Sequence, residues 1–268
     1  MLGLAGTGCG DRYGAPEPAT TQGAEVLDLW RVLYVVALAV GALVSGLILW
    51  AVVRYRRRPG RDPATFSDNV KLELFYTAVP LVTVAVLFAM SVGVQREVTR
   101  LAPEPDLRIE VTAFQWGWRF RYLTEGITIV GTSNDPPTMV LPIDATARLV
   151  LISPDVVHSF FVPEFLEKRD LVPGVENRID VTPSRLGRFG GLCAEFCGLD
   201  HTRMTFVVEI VQPEEFEAFV AEQQQQPQGG TVPPGTQGGA DEPAGRAAPP
   251  PPPRRETPPP WPNGVTVR

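Results

Sequence analysis

Cysteine and histidine are scarce in this sequence, which has 3 cysteines and 2 histidines among its 268 residues. So few cysteines exclude a disulfide framework, and the lack of a Cys-x-x-Cys-His motif excludes a c-type haem attached to this chain. Positive charge is also limited, because 24 basic residues stand against 30 acidic ones and the net charge is −6. This balance argues against a nucleic-acid-binding surface. Any metal or redox chemistry must therefore depend on where the few cysteines and histidines lie.

Charge is nearly absent from two stretches, residues 30–53 and 74–94, and the first holds only Arg31 at its edge. About 20 helical residues cross the hydrocarbon core of a bilayer, so both stretches are long enough. Neither has the polar face expected of a surface helix in a soluble protein. The sequence predicts a two-helix transmembrane hairpin over residues 29–95, with two buried helices of a soluble protein as the alternative.

The loop between the two apolar runs is rich in positive charge. It carries the basic residues Arg54, Arg56, Arg57, Arg58, Arg61 and Lys71. The positive-inside rule places such a loop in the cytoplasm. Both chain termini and the large C-terminal domain are therefore expected on the outer face of a bacterial cell membrane, with residues 1–28 as an extracytoplasmic N-terminal segment.

The first residues resemble the end of a bacterial lipoprotein signal, in which small residues precede a lipidated cysteine. The sequence begins MLGLAGTGC, so Cys9 is the candidate lipid anchor. The basic start and the apolar region of such a signal do not precede Cys9, and an unmodified cysteine is the alternative. A lipid at Cys9 would agree with an outer location of this segment.

Beyond residue 96 the pattern changes from long apolar runs to alternation. Residues 107–211 contain short stretches rich in aromatic and β-branched residues, separated by proline and glycine. This pattern predicts an all-β sandwich or barrel within residues 96–222, and PEEFEAFVAEQQQQ after the last strand predicts one short helix. Residues 223–268 are rich in glutamine, glycine and proline, which predicts a disordered or polyproline tail.

Both histidines and two of the three cysteines fall in two short segments. His158 lies in SPDVVHSFF, and GLCAEFCGLDHTRM contains Cys193, Cys197, His201 and Met204. Two thiols, two imidazoles and a thioether form a soft ligand set, which selects copper over zinc or magnesium.

Simpler interpretations of these residues remain open at this point. The two cysteines of the second segment could form a disulfide in an oxidising compartment. A structural zinc site would use two cysteines and two histidines and leave Met204 without a role. A single blue-copper site would leave one cysteine over, whereas two coppers bridged by both sulfurs would use the whole set.

The spacing Cys-x-Glu-x-Cys-x-x-x-His-x-x-Met, preceded by Asp-x-x-His-Ser-Phe, resembles subunit II of the haem-copper cytochrome c oxidases. The resemblance runs from about residue 29 to residue 211 and includes both apolar runs. It implies a cupredoxin-type Greek-key barrel for the outer domain and a binuclear copper centre called CuA.

The resemblance also implies a role for each ligand. It implies that Cys193 and Cys197 bridge the two copper ions and that His158 and Met204 complete one of them. It implies that His201 and the backbone carbonyl of Glu195 complete the other. The Glu195 carboxylate would bind a magnesium ion shared with subunit I.

Three further positions match the family. Trp116 in FQWGWRF resembles the residue that receives electrons from cytochrome c, with a core or interfacial tryptophan as the alternative. Asp155 resembles an acidic residue of the cytochrome-docking face, where negative charge would steer a basic partner. Glu73 resembles the glutamate at the cytoplasmic mouth of a proton pathway, with a plain interfacial carboxylate as the alternative.

The function implied is that of subunit II of a proton-pumping terminal oxidase in a bacterial respiratory chain. Such a subunit accepts electrons from a c-type cytochrome and passes them to haem in subunit I, where oxygen is reduced to water. The oxidoreductase and translocase activity then belongs to the complex with subunit I and the other oxidase subunits. The alternatives are the CuA domain of a nitrous or nitric oxide reductase and a membrane-anchored metal-binding module. The segment ELFYTAVP and the two apolar runs favour the oxidase.

Overall fold

The computed structural model describes residues 12–56, 59–60 and 68–225. Within this part of the chain there are three α-helices and ten β-strands. The helices are α1 (Thr21–Arg54), α2 (Val70–Val98) and α3 (Pro213–Gln225). The strands are β1 (Leu107–Phe114), β2 (Gly117–Tyr122), β3 (Ile127–Thr132), β4 (Thr138–Pro142), β5 (Ala147–Ile152), β6 (His158–Val162), β7 (Glu167–Leu171), β8 (Asn177–Val181), β9 (Gly187–Cys193) and β10 (Thr205–Val211). Cys9, three arginines of the connecting loop and the tail beyond residue 225 lie outside the described residues.

The two predicted apolar runs lie inside α1 and α2, which confirms the pair of long apolar helices. Both helices are long and apolar enough to cross a membrane, and their most apolar stretches are not buried inside the protein. A core helix of a soluble protein would be mostly buried, so this exposure favours a lipid environment. Thr20 and Asn69 cap the first turns of α1 and α2 by accepting hydrogen bonds from backbone N–H groups.

The predicted all-β domain is confirmed, and its described strands lie in two sheets of five strands each. One sheet has the order β3-β2-β1-β5-β8, and the other has the order β4-β10-β9-β6-β7. The pairs β1–β5 and β4–β10 are parallel and the remaining pairs are antiparallel, so the chain crosses repeatedly between the sheets. One apolar core contains side chains from both sheets.

Three aromatic rings link the two sheets beneath the predicted metal ligands. Trp118 of β2 contacts Phe206 of β10 with ring centroids 4.8 Å apart, and Phe206 stacks on Phe160 of β6 at 4.8 Å. Side chains two residues apart on a strand point the same way. Phe160 lies two residues after His158, and Phe206 lies two residues after Met204. The packed rings are therefore close in sequence to both predicted ligands.

The predicted helix after the last strand is α3, which covers one part of the β domain. Phe216 and Phe219 of α3 pack on Tyr122, and the Tyr122 hydroxyl donates to the carbonyl of Val140 at 2.9 Å and accepts from its N–H at 2.8 Å. This contact joins β2 to β4, strands of different sheets. The domain is therefore closed by polar as well as apolar contacts.

Candidate metal centre

Strand pairing brings the distant histidine to the cysteine segment. His158 is the first residue of β6, and Cys193 is the last residue of β9. The two strands are antiparallel neighbours, with Phe160 opposite Cys193 in the register. Strand β9 also pairs with β10, which follows Met204 directly. The convergence of the two segments is therefore set by the sheet.

The ligand atoms lie in a compact group. Sγ of Cys193 is 3.8 Å from Sγ of Cys197 and 3.8 Å from Nδ1 of His158. Sγ of Cys197 is 3.6 Å from Nδ1 of His201 and 3.8 Å from Sδ of Met204. Both cysteines are free thiols, since a disulfide would bring the sulfurs to about 2.0 Å. The structure thus brings together all five soft ligands predicted from the sequence.

Most of this group is sealed from water. The side chains of His158, Cys193, Cys197 and Met204 are buried, and only His201 is half-buried. The ligand atoms of His158, Cys193 and Cys197 all lie within 4.8 Å of one another. Buried, convergent thiols and imidazoles are the arrangement expected of a site for a soft metal ion.

The two thiols ionise unequally in the metal-free protein. Burial opposes ionisation of Cys193, but hydrogen bonds from His158 and backbone groups outweigh it and lower the pKa of this thiol to about 6. Burial and the neighbouring Cys193 raise the pKa of Cys197. Burial disfavours the imidazolium of His158, but Cys193 and Asp155 raise the pKa of His158. One thiolate therefore forms readily near neutral pH, and a bound cation is needed to displace the second thiol proton.

Asp155 lies behind the ring of His158. Its Oδ1 is 2.8 Å from Nε2 of His158, and the carboxylate also accepts hydrogen bonds from the N–H groups of Gln115 and Val156, at 2.7 and 2.6 Å. Burial disfavours the carboxylate, but these bonds outweigh it and lower the pKa of Asp155. An ionised Asp155 holds the ring proton on Nε2 and leaves Nδ1 facing the sulfurs. The docking role of Asp155 remains a prediction, and the structure shows its side chain in contact with His158.

Trp116 touches the cysteine loop directly. Its indole N–H donates to the carbonyl of Cys197 at 3.1 Å, and the side-chain amide of Gln115 donates to the same carbonyl at 2.8 Å. Gly198 follows with a φ of +119°, and a Cβ there would lie 2.9 Å from the Trp116 ring. Glycine therefore lets the loop approach the half-buried indole closely. The neighbouring Trp118 is fully buried and belongs to the core.

Glu195 presents two groups to different neighbours. Its backbone carbonyl is 3.3 Å from Sγ of Cys193. Its half-exposed carboxylate is 3.2 Å from Nζ of Lys168, which also lies 3.3 Å from Oδ1 of Asp170. The carbonyl is thus available to the metal cluster while the carboxylate faces outward. The predicted magnesium role of the carboxylate remains a prediction.

Two predicted positions do not join this group. Glu73 lies in the first turn of α2, at the end of the helix that is away from the β domain. The 29 residues of α2 are about 43 Å long at 1.5 Å per residue, so Glu73 has no contact with the metal ligands. Its charge also stabilises the positive N-terminal end of the helix. Cys9 lies outside the described residues.

Sequence patterns did not predict a role for Gln115 or the hydrogen bond between Asp155 and His158. Gln115 directly precedes Trp116 within FQWGWRF, and this position beside two tryptophans was the sequence feature that could have indicated its role. Asp155 precedes His158 by three residues in an irregular loop, where spacing does not define side-chain direction. Only the fold shows that Gln115 bonds to the carbonyl of Cys197 and that Asp155 bonds to the ring of His158.

These observations define a class of protein: an all-β domain attached to two apolar helices, with a buried soft-metal site. Residues 126–211 match the family described as "Cytochrome C oxidase subunit II, periplasmic domain". The chain is also 38% identical over 246 residues to the "Probable cytochrome c oxidase subunit 2" of Streptomyces avermitilis, and the alignment covers 77% of each chain. The chain belongs to the cytochrome c oxidase subunit II family.

A second relative supports this membership. The chain is 31% identical over 270 residues to "Cytochrome c oxidase subunit 2" of Mycobacterium bovis, covering 78% of this chain and 74% of that one. The crystal structure of the periplasmic domain of subunit II of cytochrome oxidase from Bradyrhizobium japonicum is 30% identical. It matches with a TM-score of 0.43 and covers 47% of this chain and 98% of the solved one.

Proposed function

We propose that this chain is the subunit of a proton-pumping cytochrome c oxidase that accepts electrons from a c-type cytochrome at a binuclear CuA centre. The observation that carries the proposal is the convergence of two thiols, two Nδ1 atoms and a thioether around one buried point. Family membership supports it, because the matched domain is the one that contains these residues.

The donor set fits two copper ions better than the other metals considered. Both sulfurs face one another and each has an imidazole Nδ1 beside it, so neither cysteine would be idle, as one would be in a single blue-copper site. Met204 also lies within the group, whereas a four-ligand zinc site has no use for a thioether. When held by the two cysteines, the two histidines and Met204, a copper pair would supply one-electron redox chemistry.

The protein's own residues would determine where electrons arrive. Trp116 is half-buried, so its ring connects the surface of the domain to the loop that carries Cys197. The buried ligands are held by strands and by Asp155, which limits movement of the site between redox states. We propose Trp116 as the position that receives electrons from the cytochrome.

The remaining roles follow from the family. Electrons would leave this domain for haem in subunit I, where oxygen is reduced and protons are pumped. The Glu195 carboxylate would bind magnesium at the boundary with subunit I, and Glu73 would lie at the cytoplasmic mouth of a proton pathway. The exposed position of Glu73 in the first turn of α2, next to the arginine-rich loop, is compatible with that location.

We propose that the metal-binding domain lies on the outer face of the membrane. The start of α1 hydrogen-bonds to the β domain, and the segment after α2 leads into it. A two-pass chain with both of these helix ends on one side places the arginine-rich loop on the other. The positive-inside rule then puts the loop in the cytoplasm and the β domain outside.

Metal analysis and an electronic spectrum of the purified oxidase complex test the proposal. Two coppers per copy of this chain and a purple mixed-valence spectrum would support it. A colourless zinc site would contradict it, and one blue copper would leave a cysteine without a function. A reductase of nitrous or nitric oxide would reduce that substrate in place of oxygen.

Replacing Met204 by leucine should keep both coppers bound but change their redox potential. A thioether would be a weak donor to copper, so its loss should change the redox potential more than the copper content. If the thioether stabilises one redox state over the other by ~1.4 kcal/mol, its loss should shift the redox potential by on the order of 59 mV for one electron. A redox titration measures the shift, with Met139→Leu as the matched control at another buried methionine. Equal potentials in the two variants would remove Met204 from the ligand set.

Replacing Asp155 by asparagine should weaken copper binding without removing a ligand. The amide cannot hold the His158 ring proton on Nε2 as the carboxylate does, and such outer partners affect metal affinity by about 10–100-fold. Competition with a copper chelator measures the affinity. Asp135→Asn, at an exposed aspartate of the β3–β4 loop, is the control and should bind copper normally. Normal copper affinity in Asp155→Asn would mean that the carboxylate does not support the metal site. Docking of the cytochrome would then remain as its predicted role.

A further inference from the structure

Both long helices are linked to the β domain through a short stretch of chain, residues 180–185, which we call the coupling segment. It begins within β8 and ends before β9, the strand that carries Cys193. One part of it holds the segment that leaves α2, and the other holds the segment that leads into α1. The coupling segment therefore joins both membrane helices to the ligand-bearing domain.

The first attachment is a buried ion pair that binds the backbone N–H and the backbone carbonyl of one residue, Ala102. Arg148 Nε and Nη2 donate to the two oxygens of Asp180, both at 2.8 Å. The same carboxylate accepts from the N–H of Ala102 at 2.7 Å, and Arg148 Nη2 donates to the carbonyl of Ala102 at 2.5 Å. Asp180 and Arg148 are only 3% and 7% exposed. Ala102 lies between the end of α2 and the start of β1, so the pair fixes the connection to the membrane helix.

The second attachment fixes the start of α1. Thr21 N–H donates to the carbonyl of Thr182 at 3.0 Å, and the N–H of Thr182 donates to the side chain of Gln22 at 3.0 Å. Gly23 packs so tightly that a Cβ would lie 2.8 Å from the carbonyl oxygen of Phe165. The first turn of α1 therefore has one close-fitting position on the domain.

A single strand connects the second attachment to the metal site. Phe165 belongs to a 3-10 turn that directly follows β6, and the N–H of Ala19 donates to Glu164 of that turn at 2.8 Å. Strand β6 begins at His158, and four residue steps along it amount to about 13 Å. The attachment of α1 and His158 therefore lie at opposite ends of one strand.

Stability alone does not account for the ion pair. Replacing a buried ion pair by apolar residues of similar volume is often neutral or stabilising. The specific consequence of this pair is that the backbone N–H and carbonyl of Ala102 are both held at a defined place. Electron transfer slows as the distance between donor and acceptor grows, so the onward step depends on where the domain is held.

We propose that Arg148 and Asp180 are positioning residues, which hold the metal-binding domain in a fixed place on its two-helix anchor and thereby set the rate of onward electron transfer. This inference rests on the proposed function, since the onward step is part of it. The pair touches neither the ligands nor Trp116, so it acts through the placement of the whole domain.

The test uses the purified oxidase complex with two variants of the pair. Asp180→Asn removes the charge and leaves Arg148 buried without its partner. Arg148→Met combined with Asp180→Leu replaces the pair by apolar side chains, and it carries the test if the single variant fails to fold. The matched control is Arg188→Met with Glu209→Leu, at an exposed ion pair between β9 and β10.

Three measurements separate placement from folding. Amide hydrogen exchange of residues 99–106 should be faster in both variants of the pair and unchanged in the control. The copper spectrum and the rate of electron uptake from cytochrome c should stay normal. Onward transfer to haem, followed after rapid reduction of the copper site, should be slower in both variants of the pair and unchanged in the control.

The outcomes distinguish this inference from the proposed function. Normal exchange and normal onward transfer in the double variant, with an intact copper spectrum, would overturn the positioning role and leave the function standing. Slower uptake and slower onward transfer in equal measure would also overturn it, because that pattern indicates general damage. If the unmodified complex had no dicopper spectrum, the proposed function would fail, while the exchange data would still decide whether the pair holds the Ala102 connection.

Discussion

Replacing Cys197 by serine should abolish the dicopper spectrum and the oxidase activity that depends on it. The Cys197 sulfur lies within 3.8 Å of ligand atoms of Cys193, His201 and Met204, so its loss would affect contacts with three other predicted ligands. A serine hydroxyl is a hard, weakly acidic donor and cannot replace a thiolate towards a soft metal. Loss of an outer partner costs about 10–100-fold in metal affinity, and loss of a shared ligand should exceed that.

The chain contains its own matched control for this substitution. Cys9 is the third cysteine and lies outside both ligand segments, so Cys9→Ser should keep the full copper content and spectrum. Copper content per complex, the visible spectrum and oxygen consumption are measured on both variants. A normal spectrum with normal activity in Cys197→Ser would refute the assignment of the bridging ligands.

Replacing Trp116 by phenylalanine should slow electron uptake from cytochrome c while the copper spectrum stays intact. Phenylalanine keeps an aromatic ring but loses the indole N–H that donates to the carbonyl of Cys197. The direct contact between the half-buried ring and the copper loop would then be lost. We expect a fall on the order of tenfold or more, which corresponds to at least ~1.4 kcal/mol in the barrier.

Stopped-flow mixing of the oxidase with reduced cytochrome c measures this step. Trp30→Phe is the matched control, because Trp30 lies on α1 and is exposed on the helical anchor. Onward transfer after direct reduction of the copper site should be unchanged in both variants. Unchanged uptake in Trp116→Phe would mean that another residue receives the electron, and Trp116 would then be an interfacial tryptophan of the loop.

Local patterns were sufficient to predict most of the secondary structure. The lack of charge in residues 30–53 and 74–94 predicted α1 and α2, because a membrane span needs a continuous apolar surface. The alternation in residues 107–211 predicted a β domain, because side chains alternate between the two faces of a strand. Helix α1 begins before its apolar run, since Thr20 caps it and its first turn packs on the β domain.

The sequence also predicted which side chains would form the candidate metal site. One short segment of the chain contains Cys193, Cys197, His201 and Met204. Residues that are close in such a segment are also close in space. The only distant ligand was His158, and the scarcity of histidine made it the natural candidate. Composition and spacing thus determined which side chains carry the chemistry.

Only the tertiary structure decided how those side chains are held. The pairing of β6 with β9 sets His158 beside Cys193, and the carboxylate of Asp155 fixes the orientation of its ring. The ion pair of Arg148 and Asp180 binds the backbone of Ala102, and these three residues are distant from one another in the chain. Periodicity reports which face of an element is apolar, but it carries no information about which elements become neighbours, because that depends on packing the whole core at once.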